Sequence, residues 1–187
     1  MFFNWLKQNI LFNKYYLLVF TVIVLTITIQ SIIQFSLAQQ RHDALRINVA
    51  GRQRMLSQMI VKNIYQCRYS ICDYDNIRLE INELSFINEA LQKGSATMDL
   101  EPLTNVDIQN NFDKLQPHLN YILETLENFN QLEEVSIEDL SAEVDQFLFI
   151  MDTIVTQFQK ASEKEIKALM NIELELAVFS LLILIIE

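Results

Sequence analysis

Residues 15–35, YYLLVFTVIVLTITIQSIIQF, decide how the rest of the chain is read. No charge occurs from Tyr15 to Gln40. At 1.5 Å per residue, about 20 such residues cross the ~30 Å hydrocarbon layer of a bilayer. The rival reading is a cleaved signal peptide, because Ser36-Leu37-Ala38 has the small-x-small pattern of a cleavage site. The apolar region of a signal peptide runs about 7–15 residues and this one is longer, which favours a membrane anchor. We therefore expect a transmembrane helix over 15–38 behind a cytoplasmic tail, 1–14.

At the other end, Leu176 to Ile186 (LAVFSLLILII) is again uncharged, and Glu187 follows. These 11 residues are too few to span, so 176–187 reads as the start of a second, truncated transmembrane helix. Residues 39–175 then form one domain between two spans. Lys7 and Lys14 precede the first span without an acid, whereas Arg41, Arg46, Arg52 and Arg54 follow it. Long loops translocate largely regardless of charge, so the short tail sets the orientation. The N-terminus is expected in the cytoplasm and 39–175 outside the bacterial inner (cytoplasmic) membrane, which is the periplasm where the cell is Gram-negative.

Composition limits the fold of that domain. The chain has 187 residues, 51% of them hydrophobic, with only two glycines and two prolines. So few turn-formers exclude an all-β chain and alternating βα units, and the apolar content excludes disorder. Up to Cys72 there are eight Lys/Arg against Asp43 alone; beyond it, six bases face 23 acids. An acidic surface of that kind lacks the contiguous basic face that a nucleic-acid partner requires.

The periodicity is helical throughout. The first helix runs without a break from about Tyr15 to Tyr69 and stops near Cys72-Asp73-Tyr74-Asp75-Asn76, where Asp and Asn favour a turn and a cap. A second, from about Asp75 to Gly94-Ser95, carries Ile77, Ile81, Leu84, Ile87 and Leu91 on one face. A connection with Pro102 leads to a third from Val106 to Leu132, striped by Ile108, Phe112, Leu115, Leu119, Ile122, Leu126 and Phe129. Pro117 lies inside it and is expected to kink or divide it near Gln116. Ser136 with Asp139 opens a fourth, along Leu140, Val144, Phe147, Ile150, Ile154 and Phe158, which continues into the terminal apolar run. The fold class is all-α: an antiparallel four-helix bundle whose first and last helices continue into transmembrane spans.

Chemistry-bearing motifs are scarce. His42 and His118 are isolated, without the spacing of a metal site, and there is no HExxH, Gly-rich phosphate loop or GxSxG elbow. The sequence therefore predicts no enzyme within these residues, and no metal or cofactor; a catalytic output domain can follow Glu187. Cys67 and Cys72 are five apart, too far for a bridge across a regular helix, but a turn between them permits a disulfide in an oxidising compartment. Two buried free thiols are the alternative.

The informative stretch is 47–58, INVAGRQRMLSQ. At about 100° per residue, Leu45, Val49, Leu56, Met59 and Ile60 form one stripe, the expected bundle core, while Ile47, Ala50, Arg54, Val61 and Tyr65 lie nearly opposite. Ala50 and Gly51 are small enough for another helix to approach, and a mid-helix glycine costs up to about 1 kcal/mol that a partner subunit would offset. In a symmetric dimer the two copies of Arg54 converge, and an anion between them relieves their repulsion. The bland alternative is an arginine snorkelling over its own helix.

Ile47-Asn48-Val49-Ala50-Gly51-Arg52-Gln53-Arg54-Met55-Leu56-Ser57-Gln58 resembles the signature of the type IV pilus methyl-accepting chemotaxis transducer N-terminal (PilJ-type) domain. It is also similar to the anion-binding box of the nitrate-responsive (NarX-type) sensor kinases. Weaker likenesses are Leu91 with Gly94, Leu115-Gln116-Pro117, and the ending Leu184-Ile185-Ile186-Glu187. The resemblance implies a helical ectodomain that dimerises along its first helix through Ile47, Asn48, Ala50, Gly51, Met55, Ser57 and Gln58. It also implies a second span leading into a histidine kinase, a cyclic-di-nucleotide enzyme or a chemotaxis signalling rod. In the nitrate sensors the main ligand residue is the arginine that matches Arg54, one from each subunit. A second arginine of that box falls at Met59 here, and Arg52 replaces the serine two before Arg54, so the resemblance implies a small anion rather than nitrate in particular. Arg52 projects onto the core stripe. It is expected either to pair with an acid of the fourth helix, Asp145 or Asp152, or to supply the missing cation. The expected function is the sensory half of a bacterial membrane receptor, sensing a small anion or another periplasmic signal at a dimer interface; the alternative is a membrane-tethered bundle that docks a periplasmic or pilus protein without a small ligand.

Overall fold

Four helices form where the apolar periodicity places them: α1 (Phe2–Tyr69), α2 (Tyr74–Lys93), α3 (Val106–Glu127) and α4 (Ile137–Ile186). The structure is a computed structural model that describes residues 2–69, 72–127 and 136–186, with side chains for 16–69, 72–125 and 136–183. α1 begins well before Tyr15, since residues 1–14 contain no glycine or proline to stop it. The expected continuation of the third helix to Leu132 lies outside the described residues. Pro117 sits within α3 without dividing it. Pro117 and Asp113, whose carbonyl loses its helical donor, are both exposed, so water can take the donor's place.

Side chains fix the helix starts. Asp73 accepts from the Asn76 N–H at 3.1 Å, Asn105 from Asp107 at 3.0 Å, and Ser136 from Asp139 at 3.2 Å. α2 ends at Gly94, whose φ is +82°. A Cβ there would lie 2.8 Å from the Pro102 nitrogen and 2.9 Å from the Leu100 carbonyl oxygen, so only glycine fits. A 3₁₀ turn, Ala96–Met98, and a bridge between Ser95 and Leu100 shape the connection to α3.

The chain divides into two units. Residues 41–162 form the bundle, and the cross-helix contacts give its direction. Along α1, Gln53 meets Leu84 and Asn63 meets Glu80 on α2, so the partner number falls as the α1 number rises. Asn111–Gln157 and His118–Glu143 run α4 antiparallel to α3, and Arg46–Phe158 with Arg54–Asp152 run it antiparallel to α1. The apolar stripes of α2 and α3 are buried as expected through Leu91 and Ile122, and α4 buries Leu140, Val144, Phe147, Ile154 and Phe158. Met151, fully buried, takes the place expected for Ile150.

The core face of α1 departs from expectation. Ala50 is fully buried with Val49, Leu56, Ile60 and Ile64, whereas Met59 is exposed. Gln53 and Ser57, polar and so left off the stripe, are fully buried. Gln53 Nε2 donates to the Leu84 carbonyl at 2.6 Å, and Ser57 Oγ to the Arg54 carbonyl at 2.9 Å. Their burial turns the core face towards Ala50 and turns Met59 out, so Ala50 is a residue of its own bundle rather than of a dimer face. Cys67, in the last turn of α1, and Cys72, in the connection to α2, form a disulfide with a Cα separation of 4.3 Å.

The other unit comprises 1–40 and 163–187. None of its described side chains from Tyr16 onward is buried. Its hydroxyls bond back to the preceding turn: Thr21 to Leu17, Thr26 to Val22, Thr28 to Val24, Ser31 to Ile27 and Ser180 to Leu176, all at 2.8–2.9 Å.

Candidate functional site

A third of the 47–58 motif faces one groove. Gly51, Arg54, Met55 and Gln58 of α1 and Leu148, Phe149 and Asp152 of α4 line an open concavity of about 490 Å³ in the bundle. The α1 residues fall at i, i+3, i+4 and i+7, one face of a helix. The wall is apolar at Met55, Leu148 and Phe149, and Phe149 is 72% exposed. A Cβ added to Gly51 would meet nothing within 4 Å, so this glycine widens the groove and is not required by any contact within the chain.

Arg54 is the sole cation among these lining residues, and its Nη1 lies 2.9 Å from Asp152 Oδ1. Both side chains are about half exposed, so the pair contributes little to stability. Its guanidinium keeps donors for a planar oxyanion, which an arginine fork matches geometrically.

Arg52 is elsewhere. It pairs with Glu83 of α2, not with Asp145 or Asp152, and it does not line the groove. The turn of the core face towards Ala50 accounts for this, because it carries Arg52 to the α2 side and brings Arg54 to α4. Ile47 is half-buried, Asn48 is exposed, and Ala50 and Ser57 are buried; none of the four lines the groove. Leu148 and Phe149, which lie off the α4 core stripe, are groove residues that the motif does not announce. Their only signal was an apolar residue on a face expected to be polar. His118 Nδ1 meets Glu143 at 2.6 Å and His42 lies 3.9 Å from Asp99, each a single pair. Among the described residues no group of three metal-binding side chains occurs.

The fold is similar to that of a solved structure. The ligand-binding domain of the P. aeruginosa nitrate receptor McpN superposes with a TM-score of 0.58 at 22% identity, covering 63% of this chain and 96% of that one. The likeness establishes the shared helical fold. No curated protein sequence matches the chain. The family model described as "Type IV pili methyl-accepting chemotaxis transducer N-term" matches residues 35–147, well over half of the chain and including the whole of the 47–58 motif. The chain therefore belongs to the PilJ family of chemotaxis transducer N-terminal domains, and is a sensory module of that class.

Proposed function

We propose that this chain is the input module of a bacterial membrane receptor that binds a small oxyanion in the groove between α1 and α4. The observation that carries the reading is Arg54, a half-exposed guanidinium on the family motif and the cation of that groove. The ligand named for the similar McpN domain, nitrate, is a planar oxyanion of the kind such a fork accommodates. The test is thermal unfolding of the detergent-solubilised chain against nitrate, nitrite and other small anions, beside Arg54→Ala. A shift in the native chain that the variant lacks supports the site.

The module is anchored by a span over 15–38, with 1–14 in the cytoplasm, 39–175 in the periplasm and a second span starting at 176. Supporting this, α1 holds a stretch long and apolar enough to cross a bilayer, with none of it buried by protein. Its hydroxyls satisfy themselves on the helix backbone, as hydrocarbon requires. A Cys67–Cys72 disulfide fits an oxidising compartment. Reporter fusions at Lys7 and Asp107 are expected to report inside and outside respectively; the same side for both would refute the topology.

The receptor acts as a homodimer. The exposed face of α1 offers Gly51 with open space above it and Met55, Met59 and Tyr65 at 37–53% exposure. In a background lacking Cys67 and Cys72, cysteine at Gly51 or Met55 is expected to crosslink to its own copy in membranes, and cysteine at the buried Ala50 is not. Crosslinking that is strongest at Ala50 would mean that the core and dimer faces are exchanged. Signalling is a two-state displacement of α1 against α4, biased by whichever state the ligand prefers.

A further inference from the structure

Within the bundle, most polar contacts between helices fall within two pairs, and Gln109 Nε2 donates to Gln92 Oε1 at 3.1 Å between α3 and α2. α1 holds α2 through Gln53 to the Leu84 carbonyl at 2.6 Å, through Asn63 to Glu80 at 2.9 Å, and through Arg52 with Glu83. α3 holds α4 through Asn111 to Gln157 at 2.8 Å and His118 with Glu143 at 2.6 Å. Beside the groove, Arg54 and Asp152 join α1 to α4 at 2.9 Å. Arg46 over the Phe158 ring, 5.7 Å from its centroid, joins them nearer the residue-41 end.

We propose that Asp152 is the built-in competitor of the ligand, setting both its affinity and its signal. This rests on the reading of Arg54 as the anion site. In the empty groove the Asp152 carboxylate, itself a planar two-oxygen anion, occupies the guanidinium. An incoming oxyanion takes the same fork and releases Asp152. With Arg52 held by Glu83 on α2, this chain lines the groove with no second guanidinium of its own to bind ligand and Asp152 together. Exchange therefore unties α4 from α1 at this level while both helix pairs keep their own contacts, so the α3–α4 pair shifts against α1–α2 about the links that remain, Arg46 over Phe158 and Gln109 on Gln92. The competitor also selects the ligand: only an anion that matches the fork at least as well as a carboxylate displaces it. Because the ion pair is about half exposed, its hold is weak enough for exchange at ordinary ligand concentrations.

The experiment measures the affinity of the full detergent-solubilised chain for sodium nitrate and sodium acetate by calorimetry at constant ionic strength. The native chain is compared with Asp152→Asn, Asp145→Asn and Arg54→Ala. Asp152 and Asp145 are exposed, so their amides leave the fold intact. Asp152→Asn is expected to bind about fivefold tighter, equivalent to about 1 kcal/mol. Asp145→Asn, which removes the same charge seven residues away on α4 but outside the groove, is expected to bind like the native chain. Binding seen in Asp152→Asn alone also supports the proposal, with the native competitor too strong for the probe. Unchanged or weaker binding in Asp152→Asn, or an equal gain in Asp145→Asn, overturns it. That failure is separable from failure of the site itself, in which Arg54→Ala binds as tightly as the native chain. No binding by any of the four overturns both.

Discussion

Replacing Phe147 with alanine is expected to lower the unfolding free energy of the bundle by about 3–5 kcal/mol. Phe147 is fully buried on α4, and removing its ring forfeits the transfer free energy and leaves a void that neighbouring helices close only in part. A domain of this size has about 5–15 kcal/mol in total, so the variant approaches unfolding at ambient temperature. Two residues further on, Phe149 is 72% exposed, and Phe149→Ala is expected to change stability by no more than about 0.5 kcal/mol. Denaturant unfolding followed by far-ultraviolet circular dichroism in detergent checks both. The same side chain two positions apart should thus give very different outcomes, and similar losses at the two sites would show that the core face of α4 is misassigned.

That contrast also marks how far the sequence carries. α2, α3 and α4 each bury one apolar face at helical spacing, and nearly every described residue of those stripes is in the core, because apolar residues at i, i+3 and i+4 have no other low-energy destination. The caps at Asp73 and Ser136, and the stop at Gly94, were equally legible because they depend on local chemistry. α1 was not, because its core face passes through Gln53 and Ser57. A projection that counts only apolar residues skips them, centres the stripe wrongly, and assigns Ala50 to the outside. Burial of Gln53 depends on the Leu84 carbonyl of another helix, and no pattern within α1 announces a partner 31 residues away.

The candidate site followed the same division. The motif identified Arg54, Gly51, Met55 and Gln58, all of which line the groove. It also named Arg52, and there the error in the core face propagated: the acid expected for Arg52 on α4 pairs with Arg54, while Arg52 reaches Glu83. Leu148 and Phe149 became part of the site only once α4 was docked against α1, since two helices far apart in sequence must be brought together before their shared wall exists.

Arg54→Ala is expected to abolish the stabilisation that a small anion confers. A ligand at about 100 times its dissociation constant raises the stability of the native chain by roughly 2.7 kcal/mol, since it binds the folded and not the unfolded state. Without the guanidinium that gain should vanish. The empty variant should be nearly as stable as the native chain, because a half-exposed ion pair with Asp152 is worth at most about 1 kcal/mol. In a symmetric dimer that brings two copies of Arg54 face to face, their repulsion is removed as well, which moves the empty variant towards greater stability. Arg54→Lys separates charge from shape: an ammonium keeps the attraction but lacks the planar fork, so it should recover only part of the ligand-dependent shift. Thermal unfolding of the three chains against the anion panel gives all of these values. If no anion moves the native midpoint, or if one moves Arg54→Ala equally, the groove is not an anion site. The exposed Phe149 and Met55 beside it then favour the other reading, a membrane-tethered bundle whose periplasmic face docks a protein.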